Sequence, residues 1–594
     1  GKSEGWLGEL MDAYKKEPGG KQKLQERNSK LLNDLYVKFI RMSEHMIEKN
    51  GEGVLGFITN HGYLDNVTFR GMRWHLLKTF DKIYVLDLHG NAKKSEVAPD
   101  GSADKNVFDI QQGVAIIIGV KKRGEKAEGK LAQVFHGDLW GARKAKYEML
   151  LASERGGFEW AELEFRGSNH EFVDIDWAKK QAYESGLWLP ELMPIFSLGT
   201  LSKRDALVVA DTKDNLKTKI EHFFDLNIST EAACSEFGIP VADKDKWDAE
   251  AVRNFLSVSD VHDTILPLLY RPFDFRYFVY HDDLIARTNR KTTGQVAKDG
   301  NLGLVICRQP AQASFDSADS YLCTDHISDQ NIYRRGSGTV FPIFTVPDEL
   351  HQTRRVNFDP KLYAKMRKLA GLGEESDAAA EAVFDYIYGV LHCPAYRETY
   401  AEFLKIDFPR IPWPSGPDMF EDIRAKGNTL RRLHLMEPEA IGEARYPLHG
   451  EGDNVVAAGY PKFEPSFDAA QDEVGPNDET APSSPTLLPK SGEGGERRED
   501  TAQYAPPSPG RGRGTEGEGA EHAIGRVYIN NTQYFDGAAE VSWSFWIGGY
   551  QPAQKWLKDR RGRALSTEDL IHYQRVLKIL GETDCIMKTI DMDL

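Results

Sequence analysis

The stretch LYVKFIRMSEHMIEKNGEGVLGFITNHGYLDNVTFRGMRWHLLKTFDKIYVLDLHGN, residues 35–91, determines the fold class that the sequence predicts. Apolar residues recur at helical spacing in its first part and stop at Asn50-Gly51, which indicates an amphipathic helix. VLGFIT (54–59) and KIYVLDL (82–88) are short apolar runs typical of strands buried on both faces, and a helical stretch over 66–79 separates them. This β-α-β alternation predicts a parallel sheet.

A third apolar run extends this sheet. GVAIIIGV (113–120) follows a polar loop from His89 to Asp109 and ends in a lysine-rich turn, so we expect a third strand. Three strands and two helices amount to half of a doubly wound α/β domain. We therefore expect a half-domain over residues 1–134.

The region after residue 134 has a different composition. Residues 135–465 contain more aromatic residues and shorter mixed segments, with RPFDFRYFVYHDD (271–283) and GLVICRQ (303–309) as the clearest strands. We expect an α+β unit with its own core there. Several units are also expected from a length of 594 residues, at about 150 residues per domain.

Residues 466–525 are dominated by Pro, Gly, Ser, Glu and Arg, and this composition predicts a disordered insertion. NVVAAGY (454–460) before it and RVYIN (526–530) after it both have strand patterns, which predicts one hairpin whose turn the insertion expands. Residues 526–594 end in a predicted helix from Thr567 to Lys588 that docks back on the folded body.

Composition and charge exclude several classes of protein. No run of about 18 apolar residues is present, so we expect no membrane span and a cytoplasmic location. A net charge of −16 argues against general affinity for nucleic acids, because phosphate binding requires facing Lys and Arg; any DNA-binding surface must be local. The five cysteines are widely spaced and no histidines cluster along the sequence, so we expect no metal site.

NHGYLDN (60–66) follows the first predicted strand at its carboxyl end, where ligands bind in open α/β sheets. We therefore expect a cleft lined by four polar side chains, those of Asn60, His61, Tyr63 and Asn66. In the alternative, Asn66 caps the next helix.

Residues 35–91 and NVFDIQQGVAIIIGVKK (106–122) resemble the segment that follows the catalytic tetrapeptide in γ-class adenine-N6 DNA methyltransferases, and more narrowly in single-chain Type ISP restriction-modification enzymes. Four later stretches are similar to the specificity region of the same enzymes: YRPFDFRYFVYHDD (270–283), VFDYIYGVLHCPAYRETYAEFLKIDF (383–408), DFPRIPWP (407–414) and GGYQPAQKWLKDRRGR (548–563). The resemblance covers nearly the whole chain except 466–525.

This resemblance implies a fold and an activity. The fold is α/β: the C-terminal half of a Rossmann-like methyltransferase sheet over 1–134, an α+β target-recognition domain over 135–465, and a helical C-terminal tail over 526–594 that docks on it. The activity is site-specific DNA recognition and adenine-N6 methylation within a restriction-modification system. The implied methyl donor is S-adenosylmethionine, and the implied partner is double-stranded DNA.

In this family a nuclease, a helicase-like motor, a cofactor-binding glycine loop and an Asn-Pro-Pro-Tyr tetrapeptide precede the part that this chain resembles. The tetrapeptide is absent from the sequence, in which the Pro-Pro pair is Pro506-Pro507, flanked by Ala505 and Ser508. The resemblance therefore implies that a separate N-terminal polypeptide supplies the glycine loop and the tetrapeptide.

The resemblance also assigns a role to Phe108. In such methyltransferases an aromatic residue before this strand stacks on the adenine that is flipped out of the duplex. In the alternative, Phe108 is a loop phenylalanine that closes the sheet edge.

Readout of a DNA sequence needs Arg or Lys side chains that can contact guanine bidentately. Such residues are concentrated around one predicted strand and loop: Arg271, Arg276, Arg287, Arg290 and Lys291. In the alternative, Arg271 pairs with Asp274 or Asp282, and RTNRK (287–291) is a solvated loop or a phosphate contact.

Arg334-Arg335 stands beside Gly336 and Gly338, which would let the backbone approach a phosphate closely. An ordinary surface turn is the alternative. The RRGR run at 560–563 lies between two predicted helices, where the helix dipole favours basic residues without any partner.

Three functions fit the sequence. The first is the methyltransferase and specificity part of a Type ISP system, working together with an N-terminal half. The second is a sequence-specific DNA-binding module without catalysis. The third is a non-functional remnant, since gene decay can produce both the absent tetrapeptide and the low-complexity insertion.

Overall fold

The computed structural model describes most of the chain. The described residues are 5–24, 29–92, 96, 98–124, 129–152, 157–243, 247–298, 300–308, 319–334, 336–346, 353–466 and 523–594. Among them, no helix combines the length and the apolar character needed to cross a bilayer.

The first unit is a sheet with helices packed on it. Its helices and strands are α1 (Trp6–Tyr14), α2 (Leu35–Asn50), β1 (Gly53–Asn60), α3 (Arg70–Thr79), β2 (Lys82–Asp87), β3 (Val114–Lys121), β4 (Gln133–Asp138), α4 (Arg143–Ala152) and β5 (Ala161–Glu162). These strands pair in the order β1-β3-β2-β4-β5. The three predicted strands are β1, β2 and β3, and the two predicted helices are α2 and α3.

The sheet is mixed, so the prediction of a parallel sheet is wrong. β3 lies between β1 and β2 and runs antiparallel to both, with Ile117 opposite Phe57 on one side and Val85 on the other. β2 pairs in parallel with β4, and β4 pairs antiparallel with β5. The β-α-β pattern indicates a common direction for β1 and β2, but it contains no signal that a later strand inserts between them.

The helices α1, α2 and α3 cover one face of this sheet. Their apolar residues meet Val85 and Ile117 in a buried core. Burial of such side chains contributes about 1.5–3 kcal/mol each, which makes this face the main source of stability in the unit. On the opposite face near β1, Val54, Ile58 and Ile118 remain 67%, 54% and 39% exposed.

The sheet continues beyond residue 134, where the sequence analysis places the end of the first unit. β4 crosses that boundary and pairs with β2 along its whole length. Its sequence, QVFHGD, mixes polar and apolar residues, although Val134, His136 and Gly137 are buried. A buried strand with polar side chains lacks the apolar run by which the other strands are recognised.

Among the described residues, the second unit contains two four-stranded sheets, two two-stranded sheets and a layer of helices. Its helices are α5 (Trp177–Glu184), α6 (Leu189–Leu192), α7 (Asp205–Val208), α8 (Lys213–Phe224), α9 (Thr230–Glu236), α10 (Ala249–Phe255), α11 (Val258–Asp263), α12 (Thr293–Val296), α13 (Pro360–Leu369), α14 (Asp377–His392), α15 (Pro394–Thr399), α16 (Ala401–Leu404), α17 (Pro417–His434) and α18 (Pro438–Ile441). Its strands are β6 (Leu187–Trp188), β7 (Ser197–Leu198), β8 (Val209–Ala210), β9 (Ile265–Arg271), β10 (Asp274–Val279), β11 (Gly303–Cys307), β12 (Tyr321–Thr324), β13 (Ile327–Ser328), β14 (Gly338–Pro342), β15 (Phe344–Thr345), β16 (Arg355–Val356), β17 (Arg410–Ile411), β18 (Leu448–His449) and β19 (Lys462–Pro465).

The predicted strands 271–283 and 303–309 correspond to strands of the two four-stranded sheets. β9 and β10 form an antiparallel hairpin within the order β13-β9-β10-β8, and β11 is an inner strand of the order β12-β11-β14-β7. The helical layer is built on α14 and α17. A Cβ at Gly427 of α17 would lie 1.9 Å from the carbonyl oxygen of Asp385, so glycine allows the two helices to approach closely.

The C-terminal segment returns to the second unit. It consists of β20 (Ile524–Tyr528), β21 (Tyr534–Ala539), α19 (Glu540–Ser544), α20 (Pro552–Lys558) and α21 (Thr567–Thr589). β20 and β21 complete a sheet in the order β18-β21-β20-β19. The predicted helix from Thr567 to Lys588 is confirmed as α21, and its Tyr573 and Leu580 share a core with Val305 of β11.

The hairpin that flanks the insertion has a different first strand from the one predicted. β19 pairs with β20, with Lys462 opposite Tyr528. NVVAAGY (454–460) is not that strand, because Val455 and Val456 form isolated bridges to the connection between α20 and α21. Residues 467–522, which hold most of the predicted disordered insertion, lie outside the described residues, and its predicted end belongs to β20.

Replacing residues 467–522 by a short turn is expected to leave the fold intact. The backbone N–H of Ser466 already donates to the carbonyl oxygen of Ile524 at 2.8 Å, so the two ends meet. The entropy of loop closure rises only logarithmically with length, and the shortening would stabilise the protein by about 2 kcal/mol at most. Thermal unfolding of the two chains tests this, and a large fall in melting temperature on deletion would contradict it.

His434 joins three helices of the core. It lies at the end of α17, its Nδ1 accepts a hydrogen bond from Tyr388 Oη of α14, and its Nε2 donates to Thr583 Oγ1 of α21 at 2.9 Å. Both contacts suit the neutral imidazole. Burial lowers the pKa of His434 to about 3.

The free energy of unfolding is therefore expected to decrease as the pH falls, because burial opposes protonation of His434 in the folded protein. Because the pKa of His434 in the folded protein lies below the usual histidine value of 6.5, its contribution to stability is complete above pH 6.5 and is lost as the pH falls toward 3. His434→Gln is expected to reduce the loss of unfolding free energy between pH 7 and pH 4 by about 3 kcal/mol, measured by urea unfolding. His449→Gln, at an exposed histidine, is the control; identical pH profiles for wild type and His434→Gln would contradict the assignment.

Candidate functional site

A cavity of about 570 Å³ opens at the carboxyl end of β2. The loop between β2 and β3 forms much of its wall, with Gly90, Asn106 and Phe108, and Arg143 of α4 closes one side. Open α/β sheets bind ligands at this end of their strands. Phe108 is 41% exposed and lines the cavity.

A buried ion pair attaches this loop to α4. Lys146 Nζ lies 2.6 Å from Asp104 Oδ1, and both side chains are fully buried. The ammonium group also donates to the carbonyl oxygens of Leu88 and Lys105 at 2.7 and 2.9 Å, while the carboxylate accepts from the backbone N–H of Gly90. These additional hydrogen bonds offset the desolvation of the two charges.

The backbone around Phe108 is fixed by α4 and by Asn106. Arg143 donates to the carbonyl oxygens of Asn106 and Phe108 at 2.7 and 2.9 Å, and Tyr147 Oη donates to that of Val107. Asn106 Oδ1 accepts from the backbone N–H of Phe108 at 2.8 Å. The exposed ring thus extends from a restrained backbone. The role of Phe108 in stacking on a base stays a prediction.

The four residues predicted to line a cleft after β1 have other contacts. The side-chain oxygens of Asn60 and Asn66 each accept from a backbone N–H two residues further on, at 2.8 and 2.9 Å, so the capping alternative describes Asn66. Tyr63 and His61 are buried. None of the four is among the described residues that line the cavity.

Histidines and carboxylates from the ends of β1, β2 and β4 meet beside the cavity. His61 Nδ1 lies 3.1 Å from both carboxylate oxygens of Asp87, and His89 Nε2 lies 2.8 Å from Asp138 Oδ1. Burial opposes ionisation of Asp87, but its contacts with His61 and His89 hold the pKa of its carboxyl below the usual value. One potential ligand atom from each of His61, His89 and Glu96 lies within 4.8 Å of the other two.

The sequence analysis missed this cluster because the three residues are not close along the chain. The signal that could have revealed the cluster is the position of a His-Gly pair just after each of two strands. His-Gly follows β1 in HGY (61–63), and it comes just after β2 in HGN (89–91). Since β1 and β2 point in the same direction, both histidines emerge at the same edge of the sheet.

Two of the predicted base-reading residues, Arg271 and Arg276, are half-buried and pair with carboxylates. Arg271 Nη1 lies 3.2 Å from Asp329 Oδ1, and its guanidinium carbon is 3.9 Å from the centre of the Tyr270 ring. Arg276 pairs with Asp274 at 3.0 Å and also lies over Tyr270. Arg271 therefore has a structural partner, as in the alternative, but this partner is Asp329 and not Asp274 or Asp282. Base contact by Arg271 or Arg276 stays a prediction.

The RRGR run at 560–563 fastens the β9–β10 hairpin to the C-terminal helices. Arg560 Nη2 lies 2.9 Å from Asp274 Oδ1, and Arg563 pairs with Asp569 at 2.6 Å. Burial opposes ionisation of Asp274, but Arg560 and Arg276 together hold the pKa of its carboxyl below the usual value. Arg560 and Arg563 thus pair with carboxylates of the protein, whereas the sequence analysis invoked only the helix dipole.

The remaining predicted residues of this group, Arg287, Arg290 and Lys291, are exposed on the loop after β10. Arg290 Nε lies 2.9 Å from Asp282 Oδ2, and its guanidinium carbon is 4.8 Å from the centre of the Tyr280 ring. Because the pair is half exposed, it orients Arg290 without contributing much stability. The cationic groups of this loop are therefore accessible.

Arg334 lies in a turn against the C-terminal segment. The backbone N–H of Arg334 donates to the carbonyl oxygen of Gly548 at 2.8 Å. A Cβ at Gly548 would lie 1.9 Å from the Tyr333 ring, so glycine is required for this contact. Arg335 lies outside the described residues, and phosphate contact by either arginine stays a prediction.

Asp104→Asn is expected to destabilise the protein by about 3–5 kcal/mol, because it leaves the Lys146 ammonium buried without its carboxylate. Urea unfolding measures the change. Asp100→Asn removes a fully exposed carboxylate from the same loop and is expected to have little effect. Equal effects of the two substitutions would contradict the role of the buried pair.

A known protein family matches the second unit and the C-terminal segment. Residues 191–589 match the family described as the Type ISP C-terminal specificity domain. A comparison with curated protein sequences finds no match.

Three solved structures are similar to this chain. The DrdV–DNA complex, determined by electron cryo-microscopy, has a TM-score of 0.62 and 18% identity, over 99% of this chain and 54% of that chain. A nuclease-deletion mutant of the Type ISP restriction-modification enzyme LlaGI, in complex with a DNA substrate mimic, has a TM-score of 0.60 and 18% identity, over 99% of this chain and 50% of that chain. The ATP-dependent Type ISP restriction-modification enzyme LlaBIII bound to DNA has a TM-score of 0.61 and 17% identity, over 98% of this chain and 35% of that chain.

At these sequence identities the structural likeness shows a shared fold, and this chain spans about half the length of the first two proteins and about a third of LlaBIII. The match over 191–589 includes the β9–β10 hairpin, the helical layer and the whole of α21. The chain therefore belongs to the family of Type ISP C-terminal specificity domains.

Proposed function

We propose that this chain recognises a short DNA sequence as the specificity part of a Type ISP restriction-modification system. The observation that carries the proposal is the match of residues 191–589 to the specificity domain. The similar structures of DrdV, LlaGI and LlaBIII are complexes with DNA or with a mimic of it. Recognition of this kind needs basic side chains that reach phosphates and base edges from a well-ordered backbone.

The loop 287–291 is the surface that we propose to contact DNA. Its three cationic side chains are exposed, whereas Arg271 and Arg276 are engaged by carboxylates. The contacts of Arg290 with Asp282 and Tyr280 restrict its side chain, which lowers the entropy that is lost on binding. Because the net charge of the chain is −16, affinity for phosphates must come from a local group such as this one.

We also propose that the first unit takes part in adenine-N6 methyl transfer, with Phe108 stacking on the flipped adenine. The cavity of about 570 Å³ is of the size that small ligands occupy. The contacts of Arg143 and Asn106 with the loop backbone hold the Phe108 ring at its edge. A ring that is already restrained stacks on a base with a smaller loss of entropy.

We propose that the site for S-adenosylmethionine includes residues of a further polypeptide. The Asn-Pro-Pro-Tyr tetrapeptide, which the resemblance places next to the target adenine, does not occur in the sequence, and the glycine loop is likewise absent. We propose that both come from a further polypeptide. The Rossmann-like arrangement of the methyltransferase sheet is part of the same proposal.

The uncovered side of the first sheet is the surface that we propose to receive this polypeptide. β1 is an edge strand in the described sheet, and Val54, Ile58 and Ile118 are exposed beside it. A free strand edge next to apolar side chains favours pairing with a further strand. This chain spans 54%, 50% and 35% of the similar structures, so each of those proteins contains additional polypeptide.

A DNA-binding module without catalysis is the second candidate function, and the absence of the tetrapeptide favours it. Methyl transfer that starts when an N-terminal half is added would select the first candidate. Specific DNA binding without methyl transfer in that mixture would select the second. Either outcome excludes a non-functional remnant.

Neutralising the loop with Arg287→Gln, Arg290→Gln and Lys291→Gln together is expected to weaken binding to duplex DNA. Each lost phosphate contact lowers the slope of log affinity against log salt concentration by about 1, so the slope should fall by about 2–3. Fluorescence anisotropy with a labelled duplex, at several salt concentrations, measures this slope.

The control variant makes the same change in net charge elsewhere, with Lys179→Gln, Lys213→Gln and Lys361→Gln at exposed helix positions. It is expected to keep the salt dependence of the wild type. An equal loss of affinity in both variants would indicate a general charge effect and would contradict the assignment of DNA binding to this loop.

A further inference from the structure

We propose that His61, His89 and Glu96 form a binding site for a divalent transition-metal ion of the zinc class beside the 570 Å³ cavity. Their potential ligand atoms lie within 4.8 Å of one another. Two imidazoles and one carboxylate are the ligand set of many zinc sites that keep an open coordination position. Glu96 itself lines the cavity, so the open position would face it.

The contacts around the two imidazoles support metal binding. Metal-binding histidines in proteins usually have their second ring nitrogen held by a carboxylate, which fixes the tautomer and the ring orientation. Here His61 Nδ1 lies 3.1 Å from both oxygens of Asp87, and His89 Nε2 lies 2.8 Å from Asp138 Oδ1. Each ring therefore has one nitrogen on a carboxylate, with His61 Nε2 and His89 Nδ1 as the ligand atoms.

The charges of the cluster also favour a cation. Within the described part of the chain, the ion pairs of Asp87 and Asp138 are with histidines, which are charged only if protonated. Glu96 adds a third carboxylate. A divalent ion would balance these charges while the imidazoles stay neutral, as metal binding requires.

Binding needs only small movements. His61 Nε2 lies 3.1 Å from Asn91 Nδ2, and the metal would replace this contact. Ligands about 2.0–2.1 Å from a tetrahedral ion are roughly 3.4 Å apart, so separations of up to 4.8 Å must close by about 1.4 Å at most. Glu96 is on a loop and half-buried, and it can make this movement.

The proposed ion would link the ends of β1 and β2 to the loop that carries Phe108. Nitrogen ligands favour zinc, cobalt or nickel ions over magnesium and calcium, which prefer oxygen. The site would thus fix one wall of the cavity. This role does not depend on the proposed methyl transfer or on DNA binding.

Titration of the full chain with Zn²⁺, after removal of tags and stripping with a chelator, tests the proposal. We expect one Zn²⁺ per chain by equilibrium dialysis with metal analysis, and a rise in melting temperature with Zn²⁺ that Mg²⁺ does not produce. Co²⁺ in place of Zn²⁺ is expected to give the intense visible bands of a low-coordinate site. Glu96→Gln and His89→Gln are each expected to weaken Zn²⁺ binding by tenfold or more.

The control is His449→Gln, which removes an exposed histidine far along the chain and is expected to bind Zn²⁺ as the wild type does. If His89→Gln fails to fold, Glu96→Gln alone decides, because its side chain is the least buried of the three. Absence of stoichiometric binding, or unchanged affinity in Glu96→Gln, would overturn the proposal. The assay contains no DNA, so its failure is separate from failure of the proposed function.

Discussion

The buried pair of Asp104 and Lys146 is the contact on which the candidate site depends. The loop between β2 and β3 is long and polar, so it has few apolar side chains with which to hold itself on the sheet. An ammonium group at this depth without a counter-ion would cost several kcal/mol, which means that the loop and α4 are stable only together. Their association explains why the first unit extends past residue 134 and why Phe108 is presented on a restrained backbone.

A second network of buried charges joins the second unit to the C-terminal helices. Asp274 binds Arg276 next to it and Arg560 much later in the chain. Such networks are weak evidence for net stability, but breaking one leaves an uncompensated charge. The arginines of the β9–β10 hairpin are thereby committed to the fold. The exposed cations of 287–291 remain, and they define a small surface on a chain that is acidic overall.

Local sequence patterns predicted individual elements well and their pairing poorly. β1, β2, β3 and α21 lie where apolar runs of the right period indicate them. The insertion of β3 between β1 and β2, and the partner of Lys146, depend on contacts between residues that are distant in sequence, which periodicity does not encode. The same limit applies to the site: the sequence contains no signal that Asp274 is buried and pairs both with Arg276 and with the distant Arg560.

Selection of bound duplexes from a random DNA pool by the purified chain, at two salt concentrations, tests sequence recognition most directly. The account predicts enrichment of one asymmetric site that persists at the higher salt concentration, with affinity about a thousandfold or more above that for random duplex. Binding that is salt-sensitive and enriches no sequence would reflect phosphate attraction alone, and it would contradict the account.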